Sequence, residues 1–200
     1  EKTAVKEIHH KENLSGIISD NRFGLRSEEI PSVYITHQLK VLSGATSLIS
    51  TTLHQQLISK FDQCWVPDYS TNELAGDMSA SIDKTGFVKY IGPLSRFKRK
   101  EMEKKWDVLA VLSGPEPQRS LLEEKLLEKL QLFSGKCLII RGIVEDKQSS
   151  RCVENMTIVN FMLQKELRDS IESSKLIVSR SGYSNIMDLN ALAAKTFFIP

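Results

Sequence analysis

The sequence has no apolar run of the roughly 18 to 20 residues that a bilayer-spanning helix requires, so any membrane attachment is expected to be peripheral. Its opening, Glu1-Lys2-Thr3, does not read as a signal peptide. Cysteine is scarce. Cys64, Cys137 and Cys152 are odd in number and widely spaced, and none has a Cys or His at zinc-site spacing. That excludes a disulfide framework and a zinc module, and a reducing cytoplasm is the expected setting. Excess charge is scarce too: 27 Lys and Arg against 25 Asp and Glu give a formal net charge of +2, so no global field draws the chain to nucleic acid. Neither the dinucleotide fingerprint GxGxxG nor the P-loop GxxxxGK[ST] occurs, and no repeat or low-complexity tract stands out.

What is present is an ordinary packed composition, with 40% apolar residues in 200, enough for one large domain or two small ones. In the first half, 14–19 and 33–36 are short apolar runs that end in polar loops, Asp20-Asn21-Arg22 and His37. Residues 46–61 carry apolar side chains at helical spacing, and Gln63-Cys64-Trp65-Val66-Pro67 reads as a third strand. The stretch 76–86 is polar, and 88–93 is a strand closed by Gly92-Pro93. Next comes the basic run 96–105, with Arg96, Lys98, Arg99, Lys100, Lys104 and Lys105 against two glutamates. It is read as a linker or solvated face, with contact to phosphates or an anionic membrane as the alternative.

Beyond the basic run, strands predicted at 108–112, 137–140, 157–159, 175–179 and 196–199 alternate with helices at 118–133, 165–172 and 183–194. Such alternation implies an α/β parallel sheet, since parallel neighbours need a crossover connection. The chain begins without Met and ends at Pro200, directly after a strand whose sheet would have one face uncovered. A piece of a longer protein, cut at both ends, is therefore expected.

Ligands of open parallel sheets sit beyond the C-terminal strand ends. Three places qualify: Ser113-Gly114-Pro115-Glu116-Pro117, Asn160-Phe161-Met162, and Ser179-Arg180-Ser181-Gly182. Ser181 and Gly182 open a helix whose N–H groups could cradle a diphosphate, or Ser181 is an ordinary N-cap. Phe161 and Met162 could pack on a nucleobase, or belong to the core. Asp188 follows Gly182 by six residues and points to the same rim, or is a solvated helix carboxylate. In the first half, His37 could serve as a base or bind an acceptor hydroxyl, or be structural.

Taken together, the segments from Asn160-Phe161-Met162 through Ser179-Arg180-Ser181-Gly182 and Asp188 to Phe197-Phe198-Ile199-Pro200 resemble the nucleotide-sugar signature of the MurG-type glycosyltransferase family. The resemblance implies a GT-B-like α/β fold of two Rossmann-like parallel-sheet domains: 1–92 a partial acceptor domain, 93–106 a linker, and 107–200 the donor domain. It implies inverting, metal-independent transfer from a UDP-sugar to an acceptor hydroxyl, a lipid-linked acceptor at the inner membrane face included, with no cofactor and no nucleic-acid partner. Phe161 and the Met162 backbone would meet the uracil, Ser181 and Gly182 the diphosphate, and Asp188 the ribose. Arg96 would face the nucleotide, Gly114 and Arg180 would belong to the substrate-binding set, and His37 would stand on the acceptor side. The sequence departs from the family in having Asp188 for Glu, and Pro115 and Pro117 where small residues are expected; the family's opening glycine-rich loop and its sugar-holding glutamines have no counterpart. A UDP-N-acetylglucosamine 2-epimerase and a non-catalytic nucleotide-sugar-binding module are the rival readings.

Overall fold

The computed structural model describes residues 2–40, 47–80 and 85–200. The predicted helix start at Thr46 and residues 81–84 of the predicted polar stretch lie outside them. The chain divides into two compact units, Glu1–Leu94 and Ser95–Pro200. The basic run thus belongs to the second unit, with Phe97 buried in that unit's core.

The first unit contains α1 (Lys2–Glu12), β1 (Ile17–Asp20), β2 (Ser32–Ile35), α2 (Ser47–Ile58), β3 (Gln63–Val66), a 3₁₀ turn (Gly76–Met78) and β4 (Val88–Tyr90). Its four strands pair in parallel in the order β1-β2-β3-β4. Alternate strand residues Tyr34, Cys64 and Val66 meet Leu39, Ile58 and Phe61 in one core. Phe23 stacks on Tyr34 at 5.0 Å, which fastens the loop after β1 to that core. The predicted strand at 14–19 begins later than its apolar run. α1 ends at Glu12, the next residue Asn13 turns the chain with a φ of 51°, and β1 pairs only from Ile17.

The second unit contains β5 (Trp106–Val111), α3 (Gln118–Leu130), β6 (Cys137–Ile140), β7 (Ser150–Val153), β8 (Met156–Val159), α4 (Gln164–Glu172), β9 (Ser174–Arg180), α5 (Tyr183–Ala191) and β10 (Thr196–Ile199). The sheet order is β10-β9-β5-β6-β8-β7. Residues alternate across it as a strand's period of two requires. Val108, Ala110, Cys137 and Ile139 face the α3 side chains Leu122, Leu126 and Leu130. Leu109, Leu138, Ile140 and Ile177 face Ile171 of α4 and Leu189 of α5. Helices therefore cover both faces, and the five parallel strands counted from β5 run in the Rossmann order 3-2-1-4-5.

One expectation needs correction. The second sheet is mixed and not parallel throughout, because β7 pairs antiparallel with β8 through a two-residue turn at Glu154 and Asn155, Glu154 having φ 52°. All four β7 residues are exposed, so the edge strand carries no hydrophobic alternation. The predicted helix at 183–194 also ends early, at Ala191, where Ala193 takes φ 49° and turns the chain into β10. Among the described residues no helix is long and apolar enough to cross a membrane.

The join of β6 to β5 is tight at Gly142. Its φ is 69°, and a Cβ there would lie 2.5 Å from the backbone oxygen of Leu112. Because that oxygen belongs to the main chain, no side-chain rotation relieves the clash. Gly142→Ala is expected to destabilise the second unit by about 2 to 4 kcal/mol, adding the left-handed backbone cost to the collision. Denaturant unfolding measures it, and a change below about 0.5 kcal/mol, the range of a neutral surface substitution, would contradict this packing.

Candidate functional site

In the second unit, β5 leads to β6 on one side while β9, its neighbour on the other side, leads away to β10. The crevice between the C-terminal ends of β5 and β9 is thus the topological switch point, where a doubly wound sheet binds ligands. Two of the three sequence-predicted loops meet there. Gly114, on the loop after β5, has φ 105°, and a Cβ on it would stand 2.8 Å from Nη1 of Arg180 at the end of β9. The Arg180 guanidinium therefore lies directly against the Gly114 loop.

The chain passes from β9 to α5 through Ser181 and Gly182. Gly182, not Ser181, is the N-cap, and no side chain caps it. The N–H of Ser181 is spent on the Ile199 carbonyl at 3.2 Å. The first-turn N–H groups of Ser184 and Asn185 have no acceptor within the helix, and a Cβ on Gly182 would meet nothing within 4 Å. The helix start therefore presents donors and partial positive charge to open space. Asn185, which sequence reasoning passed over, sends Nδ2 to Ser179 Oγ at 3.2 Å and to Ser113 Oγ at 3.5 Å, tying β9 to the β5 loop. Its place in the first turn of a helix opening on the switch point was the available signal.

α3 starts at the same crevice but is differently furnished. Pro115 and Pro117 have no N–H, and the Glu116 carboxylate accepts from Ser120 N at 3.3 Å while pairing with Arg119. Arg119 also reaches Glu123 at 3.0 Å, and Glu123 takes Arg141 Nε at 2.6 Å. The chain's own carboxylate fills the α3 N-terminus, which leaves α5 as the helix start facing the crevice.

Asp188 is buried, which removes the reading of a solvated helix carboxylate. Its Oδ1 accepts from Ser95 Oγ at 2.7 Å and its Oδ2 from Arg96 Nε at 3.3 Å. A small cleft beside this pair is lined by Arg96, Ser179, Asn185 and Asp188 together with the apolar residues Phe97, Val111, Leu167, Ile171 and Leu189. Farther along the rim, the Phe161 carbonyl accepts from Gln148 Nε2 at 2.9 Å, and Met162 Sδ takes Ser170 Oγ at 3.3 Å. Among the described residues no hydrogen bond engages the N–H or C=O of Met162. In the basic run, Lys104 Nζ donates to the Glu172 and Ser174 carbonyls, both at 2.8 Å, and so serves the C-terminus of α4.

The first unit has its own polar rim at the C-terminal strand ends. His37 follows β2, Asp20 ends β1 and Asp68 follows β3. Burial lowers the His37 pKa, while the charges of Asp68 and Asp20 act the other way. Asp68 has no exposed surface. It accepts from Tyr69 N and Leu74 N at 2.8 Å, from Ala75 N at 3.0 Å and from Ser79 Oγ at 2.7 Å. Burial, the largest single influence, would raise its pKa, but the four hydrogen bonds together hold it below the usual carboxylate value. The loop they organise returns the Met78 carbonyl to Leu39 N at 2.7 Å and Lys40 N at 3.1 Å, which fixes the segment that carries His37.

No protein-family model matches this chain, and no curated protein does.

Proposed function

We propose that the second unit binds a nucleotide-sugar, a UDP-sugar by its chemistry, at the β5/β9 switch point, and that the protein transfers the sugar to an acceptor hydroxyl. The observation that carries this reading is the convergence of the uncapped α5 start with the buried carboxylate of Asp188 at the switch point of a Rossmann-ordered sheet. A diphosphate suits the α5 donors and the Arg180 guanidinium. Vicinal ribose hydroxyls suit a carboxylate, and the unengaged N–H and C=O of Met162 match the acceptor and donor on one edge of uracil. The two units then correspond to the acceptor and donor domains of a GT-B glycosyltransferase.

The chemistry follows as inverting displacement. The acceptor oxygen forms a bond to the anomeric carbon as that carbon's bond to the β-phosphate oxygen breaks, and UDP leaves with the electron pair. The hydroxyl proton passes to a base. In the first unit, His37 is the acceptor-side candidate, its pKa lowered by burial. Charge on the departing diphosphate is met by the α5 donors and Arg180, not by a metal ion. The exposed Lys98, Arg99 and Lys100 suit an anionic surface if the acceptor is lipid-linked.

Titration with UDP tests the reading. A ligand that binds only the folded state adds RT ln(1 + [L]/Kd), about 2.7 kcal/mol at a hundredfold excess over Kd. For a chain of this size that raises Tm by roughly 5 to 10 °C. UDP should give this shift and ADP a much smaller one. No shift with millimolar UDP, or an equal response to ADP, would remove the proposal.

A further inference from the structure

We infer that Ser95 is a positioning residue of the nucleotide site, holding the Asp188 carboxylate in the orientation that receives the ribose. This role rests on the nucleotide reading of the same site. Ser95 lies 93 residues from Asp188 in sequence, and its hydroxyl donates to Oδ1 at 2.7 Å. The same Oγ accepts the N–H of Phe97 at 3.0 Å, and Phe97 is buried in the core of the second unit. The oxygen is thereby fixed from behind by the backbone, and its proton is directed at the carboxylate.

Arg96 also touches Asp188, but the two contacts differ in kind. The Arg96 bond to Oδ2 is longer, at 3.3 Å, and the side chain is 55% exposed, so solvent screens it. The Ser95 bond is short and its anchor is buried. The serine therefore sets the carboxylate's rotation, and the arginine adjusts it. A carboxylate has about four lone-pair sites, so the two donors leave roughly two for a ligand. The Asp188 side chain is only 12% exposed and borders a small cleft that it shares with Ser179, Asn185 and the apolar residues Phe97, Leu167 and Leu189.

The test uses the isosteric pair Ser95→Thr and Ser95→Val, which differ at the side chain only in the hydroxyl, with Ser95→Ala beside them. Each is titrated calorimetrically with UDP and with 2′-deoxy-UDP. Wild type should prefer UDP. Ser95→Val and Ser95→Ala should bind UDP roughly three- to tenfold more weakly, the equivalent of one hydrogen bond, and lose most of that preference, while Ser95→Thr keeps it. A structural role alone would weaken both nucleotides by the same factor and leave the preference intact, which overturns the inference. So does a Ser95→Val protein that behaves as Ser95→Thr. Absence of UDP binding by wild type is a different outcome, and it removes the nucleotide reading together with the role of Ser95.

Discussion

Replacing Asp68 by alanine is expected to cost the first unit about 3 to 5 kcal/mol, because it strands buried donors around a missing charge. Four hydrogen bonds converge on this carboxylate, three from backbone N–H groups of the loop after β3 and one from Ser79. Each unmatched donor costs about 1 to 3 kcal/mol, and water entering the loop recovers part of the sum. Asn is a poor substitute, since its amide would set one NH₂ against donors. The effect also depends on pH. The folded pKa is depressed below the unfolded 3.8, so this stabilisation is complete above that value and is lost as pH falls through the folded pKa. Urea unfolding at pH 7 and at successively lower pH should therefore show the gap between wild type and Asp68→Ala closing in acid. His37 supplies a second readout. The Asp68 charge raises its pKa, so removing that charge should lower it further, and an imidazole titration followed by NMR would see this. A variant within about 1 kcal/mol of wild type at pH 7, a typical effect for any single substitution, would contradict the hub role.

The alternation after residue 106 was legible because its strands are short, apolar and fully buried, as at Cys137–Ile140, while its helices carry apolar residues at 3.6 spacing. Two elements were not legible, and for the same reason. In α1 only Val5 is buried among the apolar residues, and β7 buries nothing, so neither shows the periodicity on which such reading depends. The candidate site divides along similar lines. The turn from β9 into α5 announces itself locally, as a strand followed by Ser-Gly and a helix. The partners that define Asp188 do not, since Ser95 and Arg96 are more than ninety positions away and meet it only through the path the chain takes over α4 and α5. Reading 93–106 as a linker hid Ser95, because a basic run looks solvated until Phe97 and Lys104 are seen to anchor it.

Asp188→Ala is expected to weaken UDP binding about ten- to a hundredfold, since a charge-assisted hydrogen bond contributes roughly 1.5 to 3 kcal/mol. Removing the carboxylate also leaves the Ser95 hydroxyl and Arg96 Nε without their acceptor, so part of any loss could come from a disturbed cleft. Asp188→Asn separates the two effects: it preserves shape and one carbonyl acceptor but loses the charge and half the accepting capacity. Titrating UDP and 2′-deoxy-UDP against wild type and each variant forms a double cycle of protein and ligand. If the carboxylate receives the 2′-hydroxyl, Asp188→Ala should bind UDP and the deoxy ligand with nearly equal affinity, because the 2′-hydroxyl has nothing left to bind. The two deletions would then be non-additive by about the strength of one such hydrogen bond. Independent, additive losses would show instead that Asp188 acts only by holding Ser95 and Arg96 in place. The nucleotide would then have to be recognised by the α5 start and Arg180 alone, with no discrimination at the ribose.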